Sequence, residues 1–74
     1  MNTNDFETLV YEYQKPIFNH ILRIIQSKED ATDCAQETFI KIYNNRESLD
    51  PSKNLKSFIY RVATNTSIDF LRKK

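Results

Sequence analysis

Toward the C-terminus, Arg61, Asn65, Ile68 and Arg72 recur at i, i+4, i+7 and i+11. On a helix this spacing draws two guanidinium groups and an amide into one line. Ser57 and Thr64 flank that line with hydroxyls. Such groups bind phosphate oxygens and base edges, so the chemistry they offer is recognition of nucleic acid. Phe58 and Tyr60, near the start of the same segment, would stack on unpaired bases if exposed. A second cluster is acidic: Glu29, Asp30, Asp33 and Glu37, with Gln36 among them. By residue type alone, Asp33, Gln36 and Glu37 are more often a solvated helix face than a contact. A surface ion pair explains Arg61 as well as a ligand does.

Catalysis finds no support. No nucleophile stands beside a base and an orienting acid, and there is no glycine loop to cradle a phosphate. The acidic cluster lacks the oxygen-ligand spacing of a calcium loop. His20 has no second ligand type nearby, which argues against a metal site, and no cofactor is implied. Cys34 reads as a small buried side chain rather than a redox sensor.

The elements that must position these residues are helices. The chain has 74 residues, no glycine and two prolines, Pro16 and Pro51. Tight hairpins normally want glycine, so the composition favours a small all-α bundle forming one domain, 1–74, near the lower size limit for a single core. Cys34 is the only cysteine. With no signal peptide or spanning segment, this fits a reducing cytoplasm. The net charge of +1 hides a division. Residues 1–52 hold five basic and nine acidic side chains, a net −4, whereas residues 53–74 hold six basic and one acidic, a net +5. This split suggests an anionic partner at the C-terminal end and a basic one nearer the middle.

Helical periodicity predicts about four helices. Phe6, Leu9, Val10 and Tyr13 mark the first, with Asn4 or Thr3 as N-cap. Pro16 then breaks that helix or opens a second over Ile17 to Gln26, so the two segments are a helical pair or one kinked helix. Ser27 is the expected N-cap of the next, from Lys28 to Asn44, whose apolar side is Ala31, Cys34, Ala35, Thr38, Phe39, Ile42 and Tyr43. Asn44-Asn45 is expected to end it in the left-handed region. Residues 44–54 form a loop with a turn signal at Asp50-Pro51. The last helix starts near Asn54, with Leu55, Ile59, Val62, Ala63, Thr66 and Phe70 toward the core. Phe18 and Phe39 are expected in the core as well, and Asp69 is expected to pair with Arg72 or Lys73.

Taken in order, "DATDCAQETFIKIY" and "SFIYRVATNTSIDFLRKK" resemble region 2 of a bacterial sigma factor of the extracytoplasmic-function (ECF) group. The first carries that family's D-x-x-D-x-x-Q-E-x-F motif; the second matches its aromatic-Ile-Tyr-Arg-Val-Ala-x-Asn helix. The resemblance spans nearly the whole chain. It implies a transcription initiation domain with two tasks. The acidic helix would dock on the clamp coiled coil of the RNA polymerase β′ subunit, with Asp33, Gln36 and Glu37 as the polar centre and Thr32, Ile40 and Tyr43 around them. The loop and last helix would capture the −10 promoter element as single-stranded non-template DNA. There Arg61 and Asn65 lie near the strand, and Ser48, Leu49, Asp50 and Asn54 form the loop that cups a flipped base. Lys56, Phe58 and Arg72 complete the DNA-binding set. Leu49 stands where the family often carries an aromatic ring, and Phe58 where relatives often carry tryptophan. The resemblance further implies an anti-sigma partner, a monomer when free and no membrane insertion. Region 4 would be absent, which implies a domain-sized piece or a natural short form. The rival reading is a protein-binding helical adaptor or antitoxin-like module with no DNA role.

Overall fold

The computed structural model describes residues 3–46 and 54–73, whose regular structure is helical throughout, with no strand. Three helices follow in order: α1 (Thr3–Ile25), α2 (Lys28–Asn44) and α3 (Leu55–Arg72). Each packs on the other two. The expectation of about four helices is corrected to three, because Pro16 lies inside α1 without ending it.

A proline within a helix removes one backbone hydrogen bond and costs about 3 kcal/mol or more. The carbonyl it deprives is that of Glu12, and Glu12 and Pro16 are both exposed, so water can serve that oxygen. The helical phase must also be kept. Leu9 lies before the proline and Ile17 and Ile21 after it, and all three are buried. Their spacings of eight and four keep one stripe only if the helix is continuous. The expected N-caps Thr3 and Asn4 both lie within α1, where the Thr8 hydroxyl donates to the Asn4 carbonyl at 3.1 Å.

Two residues turn the chain from α1 into α2. Gln26 is left-handed at φ 63°, and its N–H donates to the Leu22 carbonyl at 2.8 Å. This closes α1 with an αL cap in a chain that has no glycine to place there. Ser27 follows in extended conformation (φ −139°, ψ 121°), and its side chain accepts from the Asp30 N–H at 3.4 Å. The predicted cap and start of α2 are therefore both found. This helix ends at Asn44 as predicted, but not in the left-handed region. Asn45 has φ −108°, and Gln26 is the only left-handed residue among those described. Asn45 instead donates twice to the Lys41 carbonyl, from its backbone N–H at 3.2 Å and from its side chain Nδ2 at 2.8 Å. At the start of α3, Asn54 is the N-cap and its Oδ1 accepts from the Ser57 N–H at 3.2 Å.

The core takes Leu9, Ile17 and Ile21 from α1, Ala31, Cys34, Phe39 and Ile42 from α2, and Ile59 and Ala63 from α3. Four isoleucines, Ile17, Ile21, Ile42 and Ile59, are fully buried; each contributes about 1.5–3 kcal/mol of apolar burial. Phe6, Phe18 and Phe70 pack against this centre and are only partly buried. Thr38, Thr66 and Ser67 are as deeply buried as the isoleucines. Thr38 Oγ1 donates to the Cys34 carbonyl at 2.7 Å and Ser67 Oγ to the Ala63 carbonyl at 2.8 Å. Thr66 Oγ1 accepts from Lys41 Nζ at 3.1 Å, which joins α3 to α2. Among the described residues no buried side-chain nitrogen or oxygen lacks a partner.

Two predictions follow from this packing. A β-branched residue tolerates positive φ poorly, so Gln26→Val should destabilise the chain by about 1–2 kcal/mol, whereas Gln26→Gly should leave the melting temperature unchanged or raised. At Ser67, where no space remains, Ser67→Leu should cost about 1–3 kcal/mol by overpacking. Thermal unfolding followed by circular dichroism checks both, at roughly 4–8 °C per kcal/mol for a chain of this size.

Candidate functional site

Two surfaces stand out, built from separate residues. The first is a groove of about 660 Å³ between α1 and α2. From α2 it takes Thr32, Gln36, Ile40 and Tyr43, four of the six residues expected to bind polymerase; its other wall is Phe6, Val10, Gln14 and Phe18 of α1. Asp33 and Glu37 are exposed but stand outside the lining, on the next row of α2. The groove thus has an apolar floor and a carboxylate rim. Ile40 is 59% exposed, unusual for its type, and lies at the opening. Tyr43 is held in place from two sides: Phe6 meets its ring edge-on at 4.9 Å, and the Arg46 guanidinium lies 4.0 Å above its centre. Arg46 Nη1 also donates to the Tyr43 carbonyl at 2.9 Å. On the rim, Glu37 pairs with Lys41 at 3.6 Å one turn on. Both are substantially exposed, so the pair contributes about 0.2–1 kcal/mol.

The α1 wall was not legible as part of this site. Phe6, Val10 and Phe18 look like ordinary core positions, and Gln14 carries no signal until the two helices are set side by side.

The second surface is the outward row of α3. Ile59, Ala63, Thr66 and Ser67 are buried, and this phase turns Arg61, Asn65, Ile68 and Arg72 to solvent, all four exposed as expected. Lys56 and Asn54 are exposed at its start, Asn54 with its side-chain oxygen engaged as the helix cap. Arg72 Nη1 lies 3.9 Å from Asp69 Oδ1, the ion pair expected at this end. The rings depart from expectation. Phe58 and Tyr60 are half-buried and packed against the core rather than freely exposed. Tyr60 sits edge-on to His20 at 5.0 Å, and His20 Nε2 shares a hydrogen bond with Thr64 Oγ1 at 2.8 Å. Ser48, Leu49 and Asp50 lie outside the described residues.

No group of three or more metal-ligating side chains occurs among the described residues, and no helix there is long and apolar enough to cross a membrane.

The profile of the Sigma-70 region 2 family matches residues 9–74. The chain belongs to that family. Among curated relatives, the ECF RNA polymerase sigma factor SigW of Bacillus subtilis is 38% identical over 69 residues, covering 93% of this chain and 37% of the relative. The RNA polymerase sigma-H factor of Pseudomonas aeruginosa is 35% identical over 66 residues, 89% of this chain and 34% of the relative. The RNA polymerase sigma factor YlaC of Bacillus subtilis is 30% identical over 70 residues, 95% of this chain and 40% of the relative. The chain is a region 2 domain of an ECF sigma factor, and it spans between a third and two-fifths of the length of these relatives.

Within this region 2 domain, Cys34 lies beneath the acidic rim of α2 and is 1% exposed. Burial pushes its thiol pKa above the ordinary value. The carboxylates of Glu37, Asp30 and Asp33 push the same way, and Lys41 opposes them. Both burial and the raised pKa keep the reactive thiolate scarce at neutral pH. The folded domain should therefore react with a thiol reagent such as Ellman's more slowly than the urea-unfolded chain, by about 100-fold for an opening free energy of about 3 kcal/mol. The rate should rise with pH. Equal rates in the folded and unfolded chain would contradict the placement of Cys34.

Proposed function

We propose that this domain serves transcription initiation as a two-sided adaptor between RNA polymerase and promoter DNA. The α1–α2 groove takes the clamp coiled coil of the β′ subunit. Apolar partner side chains enter beside Ile40 and Tyr43, and basic ones meet Asp33 and Glu37, with Gln36 and Thr32 giving hydrogen bonds. The α3 row takes the −10 non-template strand as single-stranded DNA: Arg61 and Arg72 hold phosphates, and Asn65 reads a base edge. Asn54, Lys56 and Phe58 at the start of α3, with Ser48, Leu49 and Asp50 before it, complete the pocket for a flipped base. Extruding a base costs a few kcal/mol, which pocket contacts and backbone electrostatics supply. No bond is made or broken, so the domain is not an enzyme. The same groove is the natural target of an anti-sigma factor, whose occupancy would exclude polymerase; the free domain is monomeric.

The observation that carries this reading is the residue-level separation of the two surfaces. No α3 residue lines the groove, and the charge of each surface is opposite to that of its proposed partner.

Fluorescence anisotropy with a labelled single-stranded −10-like oligonucleotide tests the DNA half. Binding should be detectable at low salt, weaken as salt rises, and fall on Arg61→Ala. Absence of binding at low salt by a folded chain would refute it. For the polymerase half, the double variant Gln36→Ala, Glu37→Ala should weaken capture of a β′ coiled-coil fragment while leaving the melting temperature nearly unchanged, since both side chains are exposed. A large loss of stability would mean that the two residues serve the fold instead.

A further inference from the structure

A smaller cleft, of about 370 Å³, opens between α1 and α3. Its lining is Lys15, Pro16, Asn19, His20, Arg23 and Tyr60, none of them acidic. Lys15, Asn19 and Arg23 are spaced i, i+4 and i+8, so they form one straight row along α1. At 1.5 Å per residue, the two cations are about 12 Å apart along the helix axis.

The lining of the cleft is one-sided in charge, the nearest carboxylate along α1 being Glu12, one turn before Lys15. From 14 to 26, α1 and its cap carry Lys15, His20 and Arg23 and no carboxylate; from 55 to 68, α3 carries Lys56 and Arg61 and no carboxylate. Neither Lys15 nor Arg23 makes an ion pair among the described residues. Arg23 lies in the last turn of α1, where the helix dipole favours a cation. That accounts for Arg23 but not for Lys15, two turns earlier. Two unpaired cations this far apart suit a polyanion with repeated charge better than one carboxylate.

The cleft also continues the α3 surface. Tyr60 of α3 lines it, and the lining residue His20 is hydrogen-bonded to Thr64 of α3. Arg61 and Asn65, the next residues in sequence, open the outward row. His20 touches both Tyr60, by the edge contact at 5.0 Å, and Thr64, by the 2.8 Å hydrogen bond.

We infer that the α1–α3 cleft is a phosphate-binding subsite that takes the sugar–phosphate backbone of the strand held on α3. Lys15 and Arg23 each contact a phosphate, Asn19 and the Tyr60 hydroxyl donate between them, and no base is read. The inference rests on the DNA half of the proposed function.

The test is a salt titration of oligonucleotide anisotropy with the 74-residue chain. Wild type is compared with the double variant Lys15→Gln, Arg23→Gln and with Arg61→Ala, Asn65→Ala. For single strands, the slope of log K against log salt is about −0.7 per phosphate neutralised. The Lys15/Arg23 variant should therefore lose about 1.4 from the slope's magnitude, equally for a −10-like and a scrambled strand. The Arg61/Asn65 variant should narrow the difference between those two strands. Thermal melting should show all three chains folded, because Lys15, Arg23, Arg61 and Asn65 are exposed. An unchanged slope in the Lys15/Arg23 variant, with wild type still binding, overturns the subsite alone. Absence of wild-type binding at low salt overturns the DNA reading and the subsite with it.

Discussion

Where the outward row of α3 and the α1–α3 cleft lie depends on how α3 is seated on the bundle, and apart from Ile59 the residues that α3 buries are small. Ala31, Cys34 and Thr38 on α2, and Ala63, Thr66 and Ser67 on α3, are all 2% exposed or less. Helices whose contact positions are small can bring their axes close. Half of these residues are polar, and a buried hydroxyl without a partner would cost about 1–3 kcal/mol. Each is satisfied. Thr38 and Ser67 donate to the carbonyl one turn back, and Thr66 accepts from Lys41 across the interface. The Lys41 bond is directional where apolar packing is not, and it ties α3 to α2. Lys41 also reaches Glu37 on the groove rim, so one cation touches both the helix seat and the edge of the first surface.

The division of labour on α3 is a matter of phase. Ile59, Ala63, Thr66 and Ser67 face inward, so Arg61, Asn65, Ile68 and Arg72 must face out. Tyr60 and Thr64 fall between and meet His20 of α1. The helix therefore has three working sides, toward the core, solvent and α1, which is why it lacks an ordinary solvated polar face. A rigid bundle suits a site whose parts sit on helices, since their relative positions are set by the core rather than by loops.

Much of this was legible from local pattern. The start of α2, its Ser27 cap, the Asn54 region as the start of α3, the outward row and the burial of Cys34 all follow from periodicity and capping chemistry, which act within a few residues. What failed needed the third dimension. Pro16 signals a break, but the stripe from Leu9 to Ile21 overrides it because both sides of the proline pack on one core. The left-handed residue was expected at Asn44-Asn45, where residue type favours it; the short α1–α2 connection imposes it on Gln26 instead. Phe58 and Tyr60 could not be assigned to core or solvent from spacing, and both are half-buried. His20 invited only a question about metals, because its partner Thr64 is 44 residues away in sequence. The α1 side of the groove was hidden for the same reason.

The central claim is that one small bundle holds two partners on separate faces at once. The direct measurement is oligonucleotide anisotropy with the −10-like strand, repeated in the presence of a saturating β′ clamp coiled-coil fragment. Anisotropy should rise further as the larger complex forms, and the strand's affinity should not fall. Release of the strand as the fragment is added would show that the two partners compete for one surface and would contradict it.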